Sequence, residues 1–145
     1  MLTVRDAEYT VPILIGDPPQ GNMQAAFVPF TMGTYMSVTA TDCENCTTQY
    51  YDKSLSKLSN FNHAVPQSRI LGPSLTETGL FGYDRVCFAR TDDPDLCAES
   101  VFFMEVTDLS GGAVGHPQPP TLDGVFGLAP VTETTAPSYI EKLYL

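Results

Sequence analysis

Leu80-Phe81-Gly82-Tyr83-Asp84-Arg85-Val86-Cys87-Phe88-Ala89 and Ala98-Glu99-Ser100-Val101-Phe102-Phe103-Met104-Glu105-Val106-Thr107 flank the run Ala89-Arg90-Thr91-Asp92-Asp93-Pro94-Asp95, and together they read as a β-hairpin. Both arms are rich in β-branched and aromatic residues, while the acidic, proline-containing run between them is turn chemistry. Cys87 and Cys97 fall where the arms face each other, so a disulfide between them would clamp the hairpin base.

Working outward, residues 9–15 form another β-type run that stops at Gly16-Asp17-Pro18-Pro19, a strand followed by a turn. Residues 24–31 read as the returning strand, with Pro29 marking an edge. Residues 42–59 turn polar and predict a loop with short irregular structure, and residues 110–120 a Gly/Pro-rich loop. Residues 125–128 form a short apolar strand. Residues 137–143 open on proline and carry apolar residues at helical spacing, which predicts a short terminal helix. The sum is a single all-β domain over residues 1–145 with one or two helical turns, no repeat and no internal boundary. Tyr50-Tyr51, Phe81-Gly82-Tyr83 and Phe102-Phe103 are expected in packing between strands rather than along a cleft.

Charge excludes some partners. Seventeen acidic residues against seven basic ones give a formal net charge of −10 and a pI of about 4.3. That balance repels phosphate backbones and anionic membranes, and no Lys/Arg cluster makes a local exception. No apolar run is long enough to span a bilayer. Met1-Leu2-Thr3-Val4-Arg5-Asp6 is not a signal peptide, so the chain is expected to be a mature fragment or a piece of a longer protein.

The four cysteines, Cys43, Cys46, Cys87 and Cys97, allow three pairings. The two local pairs are favoured, and with them an oxidising, secreted or lysosomal, extracytoplasmic setting. Cys43-x-x-Cys46 could instead be a redox motif. That chemistry wants a βαβ context and a depressed thiol pKa, whereas Asp42 and Glu44 flank this pair and would raise it. Asn45-Cys46-Thr47 matches the acceptor pattern for N-glycosylation. His63 and His116 have no second ligand at metal spacing, so neither a metal nor a cofactor is expected.

Three blocks in order carry a family resemblance. Ile15-Gly16-Asp17-Pro18-Pro19-Gln20 resembles the IGTPPQ strand-turn of pepsin-like aspartic proteases. Gly79-Leu80-Phe81-Gly82-Tyr83-Asp84-Arg85-Val86 is similar to the segment after that family's active-site flap, and Asp123-Gly124-Val125-Phe126-Gly127-Leu128-Ala129 to its DGILGLA. The resemblance implies the amino-terminal lobe of such a protease (a double-psi-like barrel). It also implies that the third block threads beside the catalytic strand, where glycine permits close backbone approach.

In that family the strand runs into Asp-Thr-Gly-Ser, whose aspartate shares a proton with a second aspartate from the other lobe and activates a water. Here the corresponding stretch is Phe30-Thr31-Met32-Gly33-Thr34-Tyr35. Gly33 and Thr34 keep the turn glycine and the hydroxyl, but Thr31 stands at the aspartate's position, and an alcohol is too weak an acid for the task. No Asp-Thr-Gly or Asp-Ser-Gly occurs elsewhere. Asp123 matches a structural position, and Asp108-Leu109-Ser110-Gly111 is not the triplet. The flap tyrosine falls at Gly72, and the tryptophan that supports it falls near Val38, in a chain without tryptophan. Met32 and Met36 are expected to fill space once left for water and substrate.

The resemblance therefore implies a pseudo-protease whose cleft, with Thr31, Met32, Gly33, Thr34 and Gly72, binds a peptide or protein ligand. The alternative is one part of an active aspartic endopeptidase completed by a second lobe. A thiol-disulfide enzyme is a third reading. The chain ends within an apparent helix, and a carboxy-terminal lobe is expected as partner.

Overall fold

The structure is a computed structural model that describes residues 3–5, 8–28, 36–46, 50–61, 65–70, 76–88, 97–110 and 124–127. It is almost wholly β. Among the described residues eight strands run β1 Thr3–Arg5, β2 Glu8–Ile15, β3 Gln20–Val28, β4 Met36–Glu44, β5 Pro66–Ile70, β6 Thr76–Phe88, β7 Cys97–Ser110 and β8 Gly124–Gly127, with one 3₁₀ turn at Lys53–Leu55. They form a single sheet in the order β1-β2-β3-β8-β4-β7-β6-β5. The order has two ends, β1 and β5, so the sheet is not closed as a whole. The last residues of β2, Ile13 to Ile15, also pair with Phe88 to Val86 of β6 and fold the sheet back on itself.

The β6–β7 pair is the long hairpin predicted for the chain, with Cys87 opposite Cys97 in register and joined to it by a disulfide. Its arms are longer than expected, reaching back to Thr76↔Ser110. Burial along β6 changes phase: Glu77 and Gly79 point inward, and then Gly82, Asp84 and Val86 do. Register shifts between Thr78 and Gly79 and between Asp84 and Val86 interrupt this ladder. Gly79 has a steric reason, because a Cβ there would overlap the Glu105 carbonyl of β7.

The core sits on both faces of β7. On one face Ile13, Ile15, Met36, Val38, Tyr51, Val86, Ala98, Val101 and Phe103 cluster, with Phe61 packed against them. Phe103 takes the edges of two rings, Tyr51 at 5.3 Å and Phe61 at 5.7 Å between centroids. On the other face Met104 and Val106 pack with Cys43, and Cys46, Phe81 and Leu109 lie against them. Each fully buried aliphatic or aromatic side chain contributes about 1.5–3 kcal/mol. Of the aromatic pairs, Tyr51 and Phe103 are buried and Phe102 stacks on Phe81 at 4.8 Å, whereas Tyr50 and Tyr83 are exposed.

Two expectations need correction. The strand expected at residues 24–31 is β3, Gln20–Val28, which begins four residues earlier than expected; residues 29–31 lie outside the described residues. Its start is fixed by the Gln20 amide, which accepts from Asp52 N and donates to Asp52 O, both at 2.8 Å. The polar stretch beginning at Asp42 is not loop throughout, since β4 continues to Glu44. Met36 to Ala40 are buried on both sides, so β4 lacks the inside-outside alternation that makes a strand visible. After it, Tyr51 bridges to Ala40 and the 3₁₀ turn follows, capped by the Asp52 carboxylate accepting from Ser54 N at 2.9 Å. Of the loop expected at residues 110–120, Ser110 is the last residue of β7; residues 111–120 and the terminal helix expected at residues 137–143 lie outside the described residues.

Candidate functional site

Thr31, Met32, Gly33 and Thr34 belong to the stretch linking β3 to β4, and Gly72 to the stretch linking β5 to β6; all five lie outside the described residues, as do His63, His116 and Asp123. The strands that flank these stretches are described. β8 lies between β3 and β4, parallel to the first (Ala25↔Gly124 to Val28↔Gly127) and antiparallel to the second (Ser37↔Val125, Val38↔Gly124). The segment 29–35 thus joins two strands with a third, glycine-bounded strand inserted between them. β5 and β6 pair antiparallel from Pro66↔Leu80 to Ile70↔Thr76 around the segment that holds Gly72.

Of the neighbouring residues, Met36 and Val38 are in the main core. Asp108 is near the far end of β7, where it faces Glu44 and accepts from Asn45 Nδ2 at 2.9 Å. Cys43 pairs with Cys46 and Cys87 with Cys97, as the sequence favours. Among the described residues no group of three or more His, Cys, Asp or Glu could hold a metal ion, and no helix is long and apolar enough to cross a membrane.

The structure adds polar groups that sequence reasoning missed. Glu77, Asp84 and Glu105 are each at most 2% exposed. Glu77 Oε2 accepts from Ser37 Oγ at 2.8 Å, which ties the start of β4 to the start of β6, next to both candidate segments. Asp84 accepts from Tyr51 Oη at 2.7 Å, Ser56 Oγ at 3.0 Å and Arg85 N at 2.7 Å. Ser56 Oγ in turn accepts from Asp17 N at 3.0 Å, so one carboxyl joins β6 to the β2–β3 turn and to the segment after β4. Burial, the Asp84 hydrogen bond and the negative field of Asp84, Glu105 and Asp52 push the Tyr51 phenol far above its ordinary pKa. Tyr51 is thus a fixed donor, not an acid.

Glu105 is paired differently, with Lys53 Nζ at 2.7 Å. Burial raises its carboxyl above the ordinary value, Lys53 opposes that rise, and Asp42 and Asp52 add to it. A charged residue on the inward phase of a strand was the available signal for all three groups. Asp84 stands two residues from both Gly82 and Val86, and Glu105 two residues from Phe103. Chemically these groups anchor strands. Asp84 and Glu105 are buried and satisfied by neighbouring side chains, so no water-activating geometry arises at them. In comparisons with known proteins, the chain matches no family model and no curated protein.

Proposed function

We propose that the chain is a pepsin-type amino-terminal lobe that has lost its catalytic carboxyl and works by binding a peptide or protein ligand. The observation that carries this reading is Thr31 in Phe30-Thr31-Met32-Gly33-Thr34, within the segment between β3 and β4, the two strands that flank β8. Insertion of β8 between them supports a psi-type arrangement, and the β2–β6 pairing supports a barrel-like curl. Without a titratable side chain at Thr31 the lobe has no base of its own to activate water, so contact energy along the cleft remains without turnover. The two disulfides favour an oxidising, extracytoplasmic setting. A carboxy-terminal lobe is the proposed partner.

The test pairs two assays on the purified chain. Hydrolysis of a peptide library from about pH 3 to about pH 5, with and without a statine-type transition-state mimic, is expected to show no inhibitor-sensitive cleavage. Binding of the same library is expected to be saturable and weakened by Thr31→Arg, which places bulk and charge at the cleft centre. Inhibitor-sensitive cleavage would replace this reading with an active endopeptidase; absence of any saturable binding would remove it.

A further inference from the structure

We infer that Asn45 is an N-glycosylation site. The inference rests on the extracytoplasmic setting proposed above, but not on peptide binding. The chain has asparagines at 22, 45, 60 and 62, and only Asn45 is followed by the acceptor pattern, as Asn45-Cys46-Thr47. Three structural facts suit it to the role. Asn45 is exposed. It occupies the turn immediately after β4 with a left-handed φ of 60°, so its side chain projects from the end of a strand rather than into a ladder. Its Nδ2 donates to Asp108 Oδ1 at 2.9 Å, an exposed contact that uses one of the two amide hydrogens.

The chemistry balances on the remaining hydrogen. Nδ2 attacks the anomeric carbon of a polyprenyl-diphosphate-linked oligosaccharide, the bond from that carbon to the diphosphate oxygen breaks, and the diphosphate lipid leaves with the electron pair. Nδ2 gives up one proton to a base and keeps one N–H, which can still donate to Asp108. The Cys43–Cys46 disulfide encloses Asn45 in a short ring, so transfer precedes closure of that ring, while the acceptor segment is still extended.

Asn45 follows the last residue of β4, and Met36 at the other end of that nine-residue strand adjoins the segment with Thr31. A glycan on Asn45 would cover the β4–β7 end, where Glu44 faces Asp108 and Asp108 pairs with Thr78 of β6.

The experiment is translation of the full chain behind a cleavable secretion signal in the presence of microsomes, followed by endoglycosidase digestion and electrophoresis. Wild type is expected to carry a single glycan that the enzyme removes, and Asn45→Gln and Thr47→Ala none. Cys43→Ser/Cys46→Ser, which keeps the acceptor pattern but cannot close the ring, is expected to be modified at least as fully. A further version with an appended Asn-Gly-Thr tripeptide reports entry into the lumen. Modification of that tripeptide but not of Asn45 overturns the proposal and leaves the compartment standing. Modification of Asn45 only when the ring cannot form overturns it for the native chain. No modification at either place overturns the extracytoplasmic setting and the proposal with it. Peptide binding, measured on unglycosylated protein, stands or falls separately.

Discussion

Asp84 in β6 and Glu105 in β7 are carboxyl groups buried to the same degree on neighbouring strands, yet the molecule satisfies them in opposite ways. Asp84 receives two hydroxyls from the segment after β4 and the backbone N–H of its own neighbour Arg85, all fixed by packing. Glu105 receives one flexible ammonium from Lys53, whose side chain is 39% exposed. The first arrangement supplies directed donors and organises the segments that bring them. The second supplies a charge that still touches water and leaves Glu105 with a net burial penalty. Region for region, the Asp84 corner is architecture and the Glu105 rim is a tolerated cost.

The largest effect expected from this contrast is at Asp84. Asp84→Ala removes the shared acceptor and leaves the buried hydroxyls of Tyr51 and Ser56 without it, at about 1–3 kcal/mol each. A total loss of about 4 kcal/mol would consume much of a typical domain's stability, visible as a drop in urea midpoint at unchanged slope. Tyr51→Phe takes away only one donor and should cost about 2 kcal/mol. A double-mutant cycle between the two should show strong coupling. Additive losses would mean that the corner is held by packing, and the contrast with Glu105 would break.

Lys53→Met probes the other side. Breaking a fully buried pair costs several kcal/mol, but this ammonium is part-exposed, so the discounted expectation is about 1 kcal/mol at neutral pH. The methionine stem can keep the apolar contact to Phe61, over which Lys53 Nζ lies at 5.7 Å. A loss as large as that of Asp84→Ala would show that the two carboxyls are equivalent after all.

Legibility in the sequence followed the same physical division. The β6–β7 hairpin could be read because its arms are apolar and β-branched, its turn is charged and proline-containing, and two cysteines bracket it. β4 was invisible because burial on both faces erases alternation. β5, Pro-Gln-Ser-Arg-Ile, was invisible for the reverse reason: its described side chains are exposed, and an edge strand needs no apolar face. Asp84 and Glu105 left a trace only as charges on an inward phase, and that phase slips along β6, so counting by twos from Glu77 misplaces Asp84. The candidate cleft was read from a motif and its missing aspartate. Motifs identify chemistry without geometry, and Thr31 and Gly72 lie outside the described residues.

The smallest and most diagnostic effect is the pH dependence at Glu105. Its carboxyl is raised in the folded state by burial, against Lys53, with Asp42 and Asp52 adding to the rise. A raised carboxyl pKa means that the unfolded chain releases this proton first. Stability from the neutral form is therefore fully present below the unfolded value, about 4.3, and is lost as pH rises through the folded one. Glu105→Gln keeps the shape and cannot ionise. Relative to wild type its stability should be nearly equal at about pH 4 and should gain steadily toward about pH 8, by less than any loss above. Denaturation curves for the two proteins across that range measure the gap directly. A gap that stays flat, or that widens in favour of wild type, would mean that Lys53 outweighs burial and that the rim carboxylate stabilises the fold as firmly as the corner does.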